Sequence, residues 1–203
     1  MATDLEPADA TDPATGDPIY AYKPSLLGAP SEFRLAPDSL IWRVGGRGGS
    51  MPYRDISRLR LSFRPVTMQP YRFVAEIWSS SGTKLQIASV SWRSMTELER
   101  HDDAYVAFVT RLHRRLADAD SRAAFETGSP ALIYWPGVAV FVLLALSLAG
   151  LIVRGLQADV HAGALIVALF LVVLLWQGGT FLRRNRPGTY APDAIPARAL
   201  PRS

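Results

Sequence analysis

The sequence predicts an α+β protein: a small antiparallel β sandwich or partly open barrel closed by one amphipathic helix, followed by a two-helix transmembrane hairpin. Three observations carry this. Residues 131–182 are almost continuously apolar, and residues 32–92 hold short alternating runs broken by turn residues. Near residue 98 the apolar period then changes from two to about 3.6.

Residues 1–30 carry Asp4, Glu6, Asp9, Asp12 and Asp17 among Pro, Ala, Thr and Gly. Such a composition buries too little apolar surface to offset the entropy of ordering, so a disordered acidic segment is expected. Within it, Ile19 to Leu27 is more apolar and suited to lie against the folded domain or a partner. No signal-peptide core is visible here, which leaves the spans themselves as the targeting signal.

A folded domain is expected over residues 31–128. Phe33–Leu35 leads into a Pro37-Asp38 turn, and Leu40, Trp42 and Val44 then alternate with Ile41 and Arg43. Gly45 to Gly49 reads as a flexible turn. The next strand puts Leu59, Leu61 and Phe63 on one face and Arg58, Arg60, Ser62 and Arg64 on the other. Pro65 and Pro70 bound a loop, Arg72 to Trp78 is rich in β-formers, Ser79 to Gly82 turns, and Leu85 to Trp92 forms a fifth strand. Ser94 and Glu97 have capping-box spacing. Beyond them Leu98, Tyr105, Phe108, Val109, Leu112 and Leu116 make one apolar helical stripe, flanked by Arg111, Arg115 and Arg122.

The hairpin occupies residues 129–183. Its spans, roughly 131–153 and 162–182, are each long enough to cross a hydrocarbon core of about 30 Å. Ser129-Pro130 reads as a cap and first helical residue. Ala145/Ala149 and Ala164/Ala168 stand at the spacing that lets helices approach closely. Neither span holds an ionisable residue, which argues against transport by this chain alone. Arg111, Arg114, Arg115 and Arg122 precede the spans and Arg183, Arg184 and Arg186 follow them, against Arg154 alone in the connection. That bias puts both termini in the cytoplasm, and the inner (plasma) membrane of a bacterium is the expected location. Residues 184–203 form a Pro-rich cytoplasmic tail expected to be extended.

The runs FRLAPDSLIWRVG, MPYRDISRLRLSF, RFVAEIWSSSGTKLQIASVSW and AYVAFVTRLHRRL together resemble the bacterial pleckstrin-homology-like (PH-like) domains of membrane proteins. Asp38, Leu40 and Trp42 match one phrase of that pattern, and Pro52, Tyr53, Asp55 and Ile56 another, over about residues 31–119. The resemblance implies a binding or assembly module and no catalytic residues. That family usually has seven strands, one or two more than the five or six legible here, so the resemblance implies either a further strand in the Met51–Ile56 or Thr67–Gln69 region or a reduced form of the fold.

The residues themselves offer little catalytic chemistry. The chain has no cysteine, so thiol catalysis, disulfides and Cys-zinc sites are excluded. His101, His113 and His161 share no ligand spacing, and His101-Asp102-Asp103 cannot converge on one ion from successive helix positions. The Gly45–Gly49 run lacks the Lys-Ser/Thr ending of a P-loop and reads as a hairpin turn. No cofactor is implied. The arginines are the informative set. Arg43, Arg47, Arg54, Arg58, Arg60 and Arg64 on or beside the first strands are candidates for an anionic headgroup or a partner, against the plain alternative of a solvated sheet face paired with Glu76 and Asp55. The juxtamembrane arginines mark topology and attract an anionic leaflet. Nucleic acid is not expected as a partner, whereas a homo-oligomer is compatible with the sequence. The expected function is a non-catalytic, membrane-anchored binding or scaffolding protein. The alternative is a small accessory subunit of a transporter or secretion complex that packs through its hairpin.

Overall fold

The computed structural model describes residues 11–25, 27–64, 72–93 and 98–201. The chain divides into two compact units, Met1–Thr127 with Gly188–Ser203, and Gly128–Pro187.

In the first unit, β1 (Ile19–Tyr22), β2 (Ser31–Leu35), β3 (Ser39–Val44) and β4 (Arg47–Pro52) make an antiparallel sheet in that order. Strand alternation sends Phe33, Leu35, Leu40 and Met51 into the core and leaves Glu32, Arg34, Ile41 and Arg43 on the other face. The β3–β4 turn needs only Gly45 and Gly46, both at positive φ (58° and 77°), the geometry of a two-residue hairpin loop. The rest of the glycine-rich run is strand rather than turn. Gly49 lies under the Trp42 ring, which a Cβ there would meet at 2.9 Å.

The second sheet holds β5 (Ile56–Phe63), β6 (Phe73–Ser79) and β7 (Lys84–Ala88), which are antiparallel neighbours. Its other edge is completed by β10 (Ala124–Thr127), parallel to β5, and β11 (Gly188–Thr189), antiparallel to β10. A separate ribbon pairs β8 (Val90–Trp92) with β9 (Leu98–Arg100). Helix α1 (Asp102–Asp118) turns Tyr105, Phe108, Val109, Leu112, His113 and Leu116 into a core shared with both sheets. The sheets stay separate, so no barrel closes.

Several expectations need correction. The segment assigned to disorder contributes β1, because Tyr20 and Tyr22 alternate inward and are buried. Their hydroxyls donate to the carbonyls of Ala88 (2.6 Å) and Gln86 (2.7 Å), and burial pushes the Tyr22 phenol up to about 12. The expected fifth strand splits at Ser89, whose hydroxyl accepts from the Phe73 N–H while its own N–H donates to the Phe73 carbonyl. Leu98 belongs to β9 and Arg122 lies beyond α1, so neither is on the helix. The helix ends earlier because Asp120 takes positive φ and Ser121 N–H closes on the Leu116 carbonyl, a C-terminal capping loop. The Ser94/Glu97 capping box and the Thr67–Gln69 strand lie outside the described residues. The tail is not featureless either: besides β11 it forms a 3-10 turn at Ala197–Ala199, with Ala199 in the core.

In the second unit, α2 (Ala131–Gln157) and α3 (His161–Arg184) are both long and apolar enough to cross a membrane by length and composition. Helix α2 runs past Arg154, since a lone charge does not end a helix. The turn comes at Asp159, at positive φ, with Val160 N–H bonded to the Gly155 carbonyl. Pro130, not Ser129, occupies the cap position, its carbonyl accepting from Ile133 and Tyr134. On α2 the less exposed positions are Tyr134, Val138, Phe141, Ala145, Leu148, Ala149, Ile152 and Gly155, a three–four spacing but for the adjacent pair Leu148 and Ala149. That is the seam expected of two helices crossing at a shallow angle. Ala164 and Ala168 face inward too, and Gly155 and Gly178 leave room for Ala164 and Phe141.

The two helix roots meet at Gly128, where φ is +76° and a Cβ would strike the carbonyl oxygens of Asn185 and Arg186. Ser129 N–H donates to that Asn185 carbonyl at 3.0 Å. Gly128→Ala is therefore expected to cost about 3 kcal/mol, from the left-handed backbone and the clash together. Thermal unfolding of the detergent-solubilised chain checks this, and an unchanged midpoint would count against it.

Candidate functional site

The outer face of the five-stranded sheet follows from β5. A bulge between Ile56 and Arg58 sets the register, after which Leu59 and Leu61 point inward and Arg58, Arg60 and Arg64 outward. Across the sheet, Arg58 stands opposite Trp78, which stands opposite Lys84. Two residues on, Arg60 lies between Glu126 of β10 and Glu76 of β6.

The side chains form one cluster. Arg60 donates to Glu126 Oε2 from Nε (2.9 Å) and Nη2 (2.5 Å), and Arg58 Nε lies 3.6 Å from Glu126 Oε1. Arg64 and Lys84 reach the two oxygens of Glu76 at 2.6 and 2.7 Å. Glu76 is 1% exposed, whereas Lys84 and Arg64 are about half exposed. Arg58, Arg60 and Lys84 all stand over the Trp78 ring, at 5.4, 5.3 and 5.0 Å from its centroid. Four cations share two carboxylates, so the cluster keeps a positive excess.

The six strand arginines do not make a single face. Arg58, Arg60 and Arg64 belong to this cluster. Arg43 and Arg47 lie on the other sheet, Arg43 at 4.0 Å from Glu32 and Arg47 beside the exposed hairpin turn. Arg54 is exposed on the 3-10 turn Tyr53–Asp55. Of the juxtamembrane set, Arg111, Arg114 and Arg115 lie on α1, Arg114 exposed, and Arg122 is in the following loop. Arg183 and Arg184 occupy the last turn of α3, where a helix favours cations, and Arg186 follows it. The sequence reading missed Trp78, Lys84 and Glu126 as members of the cluster. Only the alternation of β6 and β7 hinted at the first two, and Glu126 comes from 66 residues away.

A second polar assembly sits between α1 and the tail. His113 Nδ1 donates to the Val109 carbonyl at 2.7 Å, which leaves Nε2 to accept from the Tyr190 hydroxyl at 2.8 Å. The imidazole also packs on the Phe125 and Tyr190 rings. Burial lowers the His113 pKa from 6.5 to about 4. The unfolded chain therefore binds this proton first as the pH falls. Stability is expected to decline between about pH 6.5 and pH 4, by up to about 3 kcal/mol, and then to level off for this group. Melting across that range measures it, and His113→Asn should flatten that part of the profile.

On the four-stranded sheet an open cleft of about 540 Å³ is floored by Gly48 and Gly49. It is flanked by the Asp12–Arg34 ion pair and by Glu32 and Arg43, opposite charges that nearly cancel. Among the described residues no group of three or more His, Asp or Glu side chains is placed to hold a metal ion. No protein-family model, curated protein or solved structure matches the chain.

Proposed function

We propose that this chain is a non-catalytic, membrane-anchored binding or scaffolding protein, with a PH-like module held at the cytoplasmic face of a bacterial inner membrane. In this reading the module holds an anionic lipid or a protein partner. One observation carries it: the segment joining the module to the hairpin and the segment returning from it are neighbours in the same sheet, with Thr127 opposite Gly188. A module attached by two paired strands is held at the bilayer more firmly than one on a single linker. The tail then continues onto α1 through Tyr190.

Support for the PH-like character comes from the order of meandering strands followed by a helix that shares their core. The parallel β5–β10 pair and β1 are additions to the pattern the resemblance implies. Support for cytoplasmic termini comes from Arg183, Arg184 and Arg186 at the root of α3, against Arg154 near the connection.

The test is capture from native membranes by the tagged full-length chain. It is compared with a chimera in which residues 131–184 are replaced by an unrelated two-span hairpin. Capture of the same partners or lipids by both supports the module. Loss of capture in the chimera favours an accessory subunit that packs through its hairpin.

A further inference from the structure

We infer that the Trp78-centred cation cluster is a contact site for the anionic headgroups of the bilayer that holds the hairpin. The inference rests on the membrane-anchored reading above and names the surface and the partner that reading leaves open.

Three features of the cluster point to a phosphate-bearing surface. First, the charges are unbalanced: Arg58, Arg60, Arg64 and Lys84 share Glu76 and Glu126. An incoming anion relieves repulsion among the cations without displacing either carboxylate. Second, the cations are gathered before any ligand arrives. The Trp78 ring holds Arg58, Arg60 and Lys84 within 5.4 Å of its centroid. Arg58 and Lys84 remain about half exposed, so their outer donors are open to an oxyanion. Third, an amphipathic indole among cations is the side-chain set that settles at the headgroup level of a bilayer.

Chain connectivity selects the bilayer over a soluble polyanion. Glu126 precedes the first residue of α2, Ala131, by five positions, a reach of at most about 17 Å. Its register partner Thr189 follows the end of α3, Arg184, by the same number. The cluster is therefore tethered beside the headgroups at high effective concentration, and individually weak contacts suffice.

The test uses the full chain in lipid nanodiscs of phosphatidylcholine, with or without phosphatidylglycerol. The sequence has no cysteine, so Gln86→Cys on the same sheet face provides a single reporter, and Ser50→Cys on the other sheet a control. Labelling of residue 86 by a soluble maleimide is expected to slow about fivefold or more in phosphatidylglycerol and to recover in high salt, while residue 50 is unaffected. Arg58→Gln with Lys84→Gln should abolish the slowing. Equal rates on the two bilayers, or slowing that ignores salt, would overturn the inference. The salt titration needs no variant, so it decides even if the double substitution unfolds the module. A chain that fails to stay in the nanodisc would sink the anchored reading itself, a different outcome from equal labelling of a retained chain.

Discussion

Replacing Arg64 and Lys84 together by alanine is expected to destabilise the sheet module by about 3–5 kcal/mol, more than replacing the carboxylate they share. Glu76 is almost fully buried and is held by those two cations alone among the ion pairs of the described residues. Removing both strands a buried carboxylate on the sheet face it shares with the buried Val74. Removing the carboxylate instead, as in Glu76→Gln, leaves two half-exposed cations that water can solvate, at a cost of about 1–2 kcal/mol. Urea or thermal unfolding of the solubilised chain gives the ranking. A carboxylate variant worse than the double cation variant would refute the asymmetry.

The second large effect concerns the tail. Ending the chain after Pro187 is expected to lower stability by about 3–5 kcal/mol. The cut removes β11 from the edge of β10, the Tyr190 ring from Phe125 and His113, and Ala199 from the core. It also leaves His113 Nε2 without its 2.8 Å donor. Tyr190→Phe separates these contributions, because it keeps the ring and loses only the hydroxyl, at about 1–3 kcal/mol. Melting curves should rank wild type above Tyr190→Phe above the truncation. A truncation as stable as wild type would show the tail to be an appendage.

What the sequence revealed and what it hid have physical reasons. The hairpin was legible because a run of apolar residues this long has few other uses, and α1 because Tyr105, Phe108, Val109, Leu112 and Leu116 repeat at helical spacing. Arg58 and Arg60 were legible as outward positions of β5, with Arg64 one residue past its end. Of their partners, Glu76 was already an expected one, whereas Glu126 was not. Glu126 lies in a four-residue strand, Ala124–Thr127, whose pairing is set by tertiary contact with β5 rather than by local preference. Strand β11 is two residues long and exists only because the hairpin brings Gly188 back beside Thr127. Strand β1 was masked by the acidic residues before it, although Tyr20 and Tyr22 already alternate. The cation cluster combines a legible half with one assembled by distant segments, and for that reason the sequence showed the arginines and Glu76 without showing Trp78, Lys84 and Glu126 beside them.

The central claim is that α2 and α3 cross a bilayer and fix the sheet module to it. Alkaline carbonate extraction of membranes bearing the full-length chain, read by immunoblot, tests it most directly. The chain should stay wholly in the membrane pellet; its appearance intact in the wash would contradict the claim.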